Sequence, residues 1–278
     1  MTTSEKTSRH TGDDGSSGVE ARHLASVLRQ KPAKQANCAA HGSYTSRNIM
    51  ADIWTKCPVC ANEAASKAKV DGERAEKQAR VSRWAERLGH ACIPSRFQDR
   101  TLDNFHAETV EQHSALRLAT GYAEEFSGGA MLSGRSLVFV GGPGTGKTHL
   151  ACAIALRIMG RAGHSALFMT VYDAMRHIKS TWGGNSKLSE LQAVANLVEP
   201  DLLILDEVGQ QYGSEAERQI LFDVLNKRYE ARRPCILLSN LDMKDVVAFL
   251  GERVIDRLAE DGAAFVAFKW ESHRRGKK

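Results

Sequence analysis

Long apolar runs are absent from this 278-residue sequence. No stretch approaches the roughly 20 consecutive apolar residues that a membrane-spanning helix needs, and runs such as Leu202–Leu205 are short. Residues 1–10 also lack the apolar segment of a secretory signal. We therefore predict a cytoplasmic protein without a membrane partner.

Disulfide bonds are not expected either, because thiols stay reduced in the cytosol. Six cysteines are present, and three of them, Cys38, Cys57 and Cys60, lie in the N-terminal part. Clustered cysteines in such a protein more often bind a metal than each other. The chain is long enough to bury a core without disulfides, and a hydrophobic fraction of 42% excludes wholesale disorder.

Most of the chain has no net charge. Residues 1–92 carry 15 basic and 10 acidic side chains, whereas residues 93–278 carry 23 of each. The stretch 269–278 is again basic. Basic ends on a neutral body favour contact with a polyanion, although solvated tails would explain the same charges.

The sequence divides into three parts. Residues 1–18 are rich in Ser, Thr, Gly and charge, and are predicted to be a disordered tail. Residues 19–92 hold the cysteine cluster and a predicted solvated helix at about 61–89, and we interpret them as a zinc-binding and helical module for partner or DNA contact. Residues 93–278 alternate short apolar runs with helical stretches, which indicates an α/β domain with a parallel sheet flanked by helices. The strands are predicted at Ser136–Val140, Ser165–Thr170, Leu202–Leu205, Cys235–Ser239 and Ala264–Phe268.

A phosphate-binding loop follows the first of these strands. Residues 141–148 read Gly-Gly-Pro-Gly-Thr-Gly-Lys-Thr and lead into a helical stretch, which matches G-x-x-x-x-G-K-[ST] in its required context. The glycines let backbone N–H groups form an anion nest at a helix N-terminus. Lys147 can then reach the β- and γ-phosphates, and the Thr148 hydroxyl can ligate Mg²⁺. The residues predicted to bind ATP or ADP here are Gly142, Pro143, Gly144, Thr145, Gly146, Lys147, Thr148 and His149.

Polar side chains end two later strands. Asp206 and Glu207 follow the apolar run 202–205, at the sheet edge where open α/β sheets bind ligands. We predict that Asp206 holds Mg²⁺ through water and that Glu207 orients and deprotonates the attacking water, which favours an ATPase over a small GTPase. Asn240 follows the run 235–239 and is predicted to hold the same water.

Two arginines, Arg253 and Arg257, lie four residues apart on one predicted helix face. Like charges at this spacing are mildly unfavourable, so an anionic partner would explain them. The γ-phosphate of a neighbouring subunit is one candidate, because an arginine finger stabilises charge in the transition state. Ion pairing with Glu252 or Asp256 is the alternative.

Five segments, at 141–148, 202–209, 237–240, 251–257 and 268–274, occur in a familiar order and spacing. With the lead-in at 93–105, they resemble the AAA+ replicative helicase loaders of the DnaC type and the related transposition helper ATPases of the IstB type. The resemblance covers roughly residues 93–276. Only 21 residues follow Arg257, which is too few for a full helical AAA+ lid of about 35–50 residues.

The resemblance implies a bacterial or phage-encoded ATPase that forms an ATP-dependent oligomer, binds single-stranded DNA and delivers a hexameric DnaB-type helicase. It implies that Arg257 is the finger acting on a neighbouring subunit, with Arg253 as the other possibility, and that Arg274 is the second sensor arginine. The ATP site of each subunit would comprise Lys147, Thr148, Asp206, Glu207 and Asn240.

A separate pattern points to zinc. Cys38 and His41 form one pair, and Cys57 and Cys60 form a second pair 15 residues later. Two pairs with two intervening residues each can surround one Zn²⁺ tetrahedrally. Unmetallated thiols or a redox C-x-x-C are the alternatives. The aromatic and basic residues Tyr44, Arg47, Trp54 and Lys56 lie between the pairs and could contact DNA.

Three functions therefore compete. The first is an ATP-dependent helicase loader in DNA replication. The second is a transposition helper of the IstB type, in which the same ATPase acts for a transposase. The third is a nucleotide-gated DNA-binding adaptor in which hydrolysis is incidental.

Overall fold

The computed structural model describes residues 31–127, 134–161, 163–183, 186–210 and 215–273. The predicted tail at 1–18 and Arg274 lie outside these ranges. The chain forms two compact units, Met1–Arg80 and Val81–Lys278. No helix in the described ranges is long and apolar enough to cross a membrane.

The first unit contains a small antiparallel sheet in the order β1-β2-β3, formed by Ala33–Cys38, Gly42–Met50 and Ile53–Trp54. A tight turn joins β1 to β2, because Cys38 pairs with Gly42. Helix α1 follows at Pro58–His90, so it begins in this unit and ends in the second. It has no buried residue, which confirms the predicted solvated helix. Ser46 and Cys57 are the buried residues in the described part of this unit, so its apolar core is minimal.

The second unit is built on a five-stranded parallel sheet in the order β5-β6-β7-β4-β8. All five predicted strands are present, with ends shifted by at most one residue. They are continuous apolar runs because both faces of the sheet are buried. The strands are β4 at Leu137–Gly141, β5 at Ala166–Thr170, β6 at Leu202–Asp206, β7 at Cys235–Ser239 and β8 at Ala264–Phe268.

Helices cover both faces of this sheet and divide the core in two. Phe139 and Ile204 face one core, while their neighbours Val138 and Leu203 face the other. Within the described residues, β8 is the last helix or strand, and the chain can be followed from it to His273. The helices are α2 at Val110–Ser127, α3 at Lys147–Arg161, α4 at Val171–Lys179, α5 at Glu190–Val198, α6 at Glu215–Glu230, α7 at Met243–Leu250 and α8 at Glu252–Glu260, with a 3-10 turn at Ser95–Phe97.

Candidate functional site

The predicted phosphate-binding loop lies between β4 and the N-terminus of α3. Three of its glycines have positive φ angles: 137° at Gly141, 81° at Gly144 and 99° at Gly146. A Cβ atom on Gly141 would lie 2.3 Å from the Phe268 carbonyl oxygen. Glycine is therefore required there both for its backbone conformation and for this close approach.

Lys147 lies inside this loop and is only 5% exposed. Its Nζ donates to the carbonyl oxygens of Gly141 at 2.6 Å and Gly142 at 2.8 Å, and to Asn240 Oδ1 at 2.9 Å. The structure thus brings together Lys147 and Asn240, which are far apart in the sequence. These contacts hold the Lys147 ammonium within the loop. The glycine-rich loop, at the N-terminus of α3, is suited to an anion.

Thr148 and Asp206 form the polar edge of the same site. The Thr148 hydroxyl donates to Asp206 Oδ2 at 3.1 Å, and the Glu207 backbone N–H donates to Asp206 Oδ1 at 2.8 Å. Burial raises the pKa of Asp206, against the opposing effects of these two donors and of Lys147. A hydroxyl and a carboxylate are ligands that Mg²⁺ accepts, so this pair fits the predicted role.

Glu207 is exposed and has a left-handed φ of 63°, which is unusual for a residue other than glycine. Two bonds to β7 hold the following residue: Val208 N donates to Leu238 O at 2.9 Å, and Ser239 Oγ donates to Val208 O at 2.6 Å. Such over-determined strain is common at functional sites. The predicted base therefore follows Asp206 at the C-terminal end of β6, with its side chain exposed.

His149, which was predicted to bind nucleotide, is directed toward the lead-in to this unit. Its Nε2 lies 3.0 Å from the Thr101 carbonyl oxygen, and its ring meets the edge of Phe105 at a centroid distance of 5.3 Å. Phe105 also touches the loop, because a Cβ on Gly146 would lie 2.7 Å from its ring. Burial lowers the pKa of His149. The segment 101–105 therefore supports the loop.

The two arginines of α8 have different surroundings. Arg253 is exposed, whereas Arg257 is half-buried, donates to Asn226 Oδ1 and lies 5.2 Å from the centre of the Tyr229 ring. Within the described part of the chain, neither arginine pairs with Glu252 or Asp256. The ion-pair alternative is thus not supported.

Two hydrogen bonds to the phosphate-binding loop were not predicted from the sequence. Trp270 Nε1 donates to the Thr145 carbonyl at 2.9 Å, and the His273 backbone N–H donates to the Gly144 carbonyl at 3.1 Å. A hydrogen bond from a side chain to a distant backbone carbonyl leaves no periodicity in the sequence, so no signal could have predicted it.

The four predicted zinc ligands converge in the first unit, with all ligand atoms within 4.8 Å of one another. Cys60 Sγ lies 3.5 Å from Cys38 Sγ and 3.2 Å from His41 Nδ1, and Cys38 and Cys57 each lie 3.8 Å from His41 Nδ1. A zinc tetrahedron with ordinary bond lengths has edges of about 3.5–3.8 Å. The residues present therefore fit Zn²⁺.

The surroundings of the cluster also suit a metal. Backbone N–H groups of Ala40 and His41 bond to Cys38 and lower its pKa to about 6, while the bond with Cys38 raises the pKa of Cys60 to about 11. His41 Nε2 lies 3.4 Å from Glu63 Oε1, in the arrangement that orients histidine ligands in zinc sites. Glu63 was not predicted, because one glutamate in a charged helix carries no distinguishing pattern.

The proposed DNA-contact residues of this unit do not share one surface. Strand pairing places Tyr44 and Trp54 on the same face as buried Ser46, where both are half-buried, and the Lys34 ammonium covers Trp54 at 4.1 Å. Arg47 lies on the opposite face. Lys34 therefore covers one face of the Trp54 ring.

Comparisons with known proteins agree with this geometry. A family model described as IstB-like ATP binding protein matches residues 75–278. The replicative helicase loader DnaC of Escherichia coli K12 is 37% identical over 199 residues, covering 72% of this chain and 79% of that protein. The DnaC loader of Buchnera aphidicola from Acyrthosiphon pisum is also 37% identical, over 68% of this chain and 74% of its own length.

Solved structures give the same result. A crystal structure of the DnaC helicase loader matches with a TM-score of 0.56 and 26% identity, covering 63% of this chain and all of that one. DnaI matches with a TM-score of 0.51 at 21% identity and supports the fold alone. From the loop, the acidic pair, the sheet order and these matches together, we conclude that the chain belongs to the IstB-like family of AAA+ ATP-binding proteins that includes the DnaC helicase loaders.

Proposed function

We propose that this protein is a bacterial or phage-encoded, cytoplasmic ATPase that loads a hexameric DnaB-type replicative helicase onto single-stranded DNA. The observation that carries the proposal is the convergence of Lys147, Asp206, Glu207 and Asn240 at one sheet edge, in a chain 37% identical to helicase loaders named DnaC.

The loop and Lys147 bind the phosphates of ATP, and Thr148 and Asp206 would hold Mg²⁺. The metal would neutralise charge on the phosphates. Glu207 accepts the proton of the attacking water. Asn240, whose side-chain oxygen accepts a hydrogen bond from Lys147, orients that water. Hydrolysis then needs no base from outside the subunit.

A neighbouring subunit completes the site. Arg257 is the better candidate for the finger because Asn226 and Tyr229 hold its guanidinium in one orientation, and a pre-oriented group loses less entropy on binding. Exposed Arg253 is a second contact with the same phosphate or its surroundings. Arg274 is proposed as the sensor arginine from the sequence alone.

Single-stranded DNA is proposed to bind along α4 and at the exposed residues Trp182 and Lys187 that follow it in the sequence. Tyr172 is 52% exposed and Trp182 is 54% exposed, although large aromatic side chains are usually buried. Arg176 lies 5.6 Å from the Tyr172 ring, and Lys187 is exposed nearby in the sequence. Aromatic platforms beside positive charge are the features that bind single strands without sequence preference.

The N-terminal unit is proposed to hold one Zn²⁺ and to contact the helicase or DNA. Zinc would cross-link β1, the following turn and α1, and so stabilise a unit whose apolar core is minimal. One zinc per purified chain is expected, and replacement of Cys57 and Cys60 by serine should release it. Absence of zinc from the wild-type protein would end this part of the proposal.

Replacement of Glu207 by glutamine tests the central proposal. We expect retained ATP binding, hydrolysis reduced by at least about 100-fold, and failure to load the helicase in a DNA-loading assay. Glu230→Gln, at an exposed position outside the site, is the matched control. Full loading by Glu207→Gln would favour the nucleotide-gated adaptor instead.

The IstB-like family match also keeps a transposition helper in consideration. ATP-dependent co-purification with a hexameric helicase supports the loader, whereas co-purification with a transposase alone would support the helper.

A further inference from the structure

From the last residue of β8, the chain runs alongside the phosphate-binding loop. We refer to residues 268–273 as the C-terminal segment. It approaches the loop at three points: the Phe268 carbonyl against Gly141, the Trp270 indole N–H on Thr145, and the His273 backbone N–H on Gly144. Two of these contacts are hydrogen bonds that loop carbonyl groups accept.

Two of these contacts fix peptide groups whose N–H bonds form the anion nest. In a trans peptide, the carbonyl of one residue and the N–H of the next point in opposite directions. The bond from Trp270 to the Thr145 carbonyl therefore directs the Gly146 N–H to the other side of the loop. The bond from His273 to the Gly144 carbonyl does the same for the Thr145 N–H. Both N–H groups belong to the set that cradles phosphates.

The position of Trp270 is set by the core of the sheet. Its ring packs on Phe268 with centroids 4.7 Å apart, and Phe268 packs on Phe139 at 5.1 Å. Phe139 and Phe268 are at most 1% exposed. This aromatic stack fixes the indole N–H independently of any nucleotide, so the bond to Thr145 pre-organises the loop.

We propose that Trp270 is a positioning residue for nucleotide binding, which acts by holding the Thr145–Gly146 peptide so that its N–H faces the phosphates. The inference rests on the proposed ATP site. Because this peptide would contact phosphates that ADP and ATP share, Trp270 should affect both nucleotides equally. Gly146 can adopt its observed φ of 99°, but glycine adopts other φ values as readily. The hydrogen bond from Trp270 to the Thr145 carbonyl favours the observed orientation of this peptide.

The test compares Trp270→Phe with Trp84→Phe in the full-length protein. Phenylalanine keeps an aromatic ring at position 270 and removes the N–H. Trp84 is a control that is also half-buried and packs near Gly160, at the far end of α3. We expect Trp270→Phe to weaken ADP and ATP binding by about fivefold to tenfold, with the Tm of the nucleotide-free protein within about 2 °C of wild type. The change in tryptophan emission on ADP binding should vanish in Trp270→Phe and persist in Trp84→Phe.

A second variant separates the hydrogen bond from packing. Trp270→His keeps a ring N–H on a smaller, more polar ring, and should bind ADP more tightly than Trp270→Phe. The reverse order, unchanged affinity in Trp270→Phe, or misfolding of that variant would each overturn the inference. Failure of the wild-type protein to bind nucleotide would instead overturn the proposed function.

Discussion

Arg228 is the largest fully buried side chain in the described part of the chain, and its guanidinium has no carboxylate partner there. It donates instead to uncharged acceptors at the end of α5 and the starts of β6 and β7. Carbonyls at a helix C-terminus carry partial negative charge, which stabilises a cation. The acceptors are the carbonyl oxygens of Leu197, Val198, Pro200, Asp201 and Pro234 and the sulfur of Cys235.

Replacement of Arg228 by lysine should destabilise the second unit although the charge is kept. Lysine offers three donors from one point and cannot match the planar fork, so several buried carbonyls lose their partner at about 1–3 kcal/mol each. We expect Tm to fall by at least about 5 °C in thermal unfolding, with Arg218→Lys, at an exposed position on the same helix, unchanged. An unchanged Tm for Arg228→Lys would contradict this role.

Asp201 makes stability depend on pH. Burial alone would raise its pKa, but hydrogen bonds from the Ser165 backbone and hydroxyl, together with His164, outweigh burial and lower the pKa. A lowered pKa stabilises the fold above the carboxyl's ordinary value of about 4, and this contribution is lost as the pH falls through the folded value. Asp201→Asn should therefore lower Tm by about 2–4 °C at pH 7, and the difference should close below about pH 4. A difference independent of pH would exclude this cause.

At the scale of elements, strands and phosphate loop were predictable because each follows from local sequence. A strand buried on both faces must be apolar throughout, as in β6, and the loop needs glycine at fixed places. Arg228, Trp270 and Glu63 could not be predicted, because each acts on atoms distant in sequence. Their roles depend on where the fold places a partner, and a single sequence carries no record of that.

The turn between β1 and β2 and the first turns of α1 together form the proposed metal site, so a change in the helix should alter zinc affinity. Glu63→Gln removes the carboxylate beside His41 Nε2, which should weaken zinc binding about 10-fold or more. Competition with a chelator measures this effect. Glu73→Gln, exposed on the same helix, should bind zinc like wild type, and equal affinity in both variants would exclude a role for Glu63.

At the scale of the molecule, the division between units falls inside a helix. The sequence predicted a boundary at residue 92, whereas compact units meet at Arg80 and Val81. The last turns of α1 belong with the second unit because Trp84 and Leu88 pack against its core, and Arg87 donates to the Met159 carbonyl at 3.1 Å. The change of composition near residue 92 thus coincides with the end of the helix, and a domain boundary there stays a prediction.

Two truncated chains distinguish these boundaries. A chain beginning at Val81 keeps the contacts of Trp84, Leu88 and Arg87, and should bind ATP like the full-length protein but lack zinc and fail to load a helicase. A chain beginning at Ile93 loses these contacts and exposes the apolar surface they cover. Burial of one large apolar side chain contributes about 1.5–3 kcal/mol, so its Tm should be lower by roughly 5 °C or more. Equal thermal stability and ATP affinity in the two truncated chains would instead support the boundary at residue 92. Efficient helicase loading by the chain that begins at Val81 would show that the zinc-binding unit is dispensable.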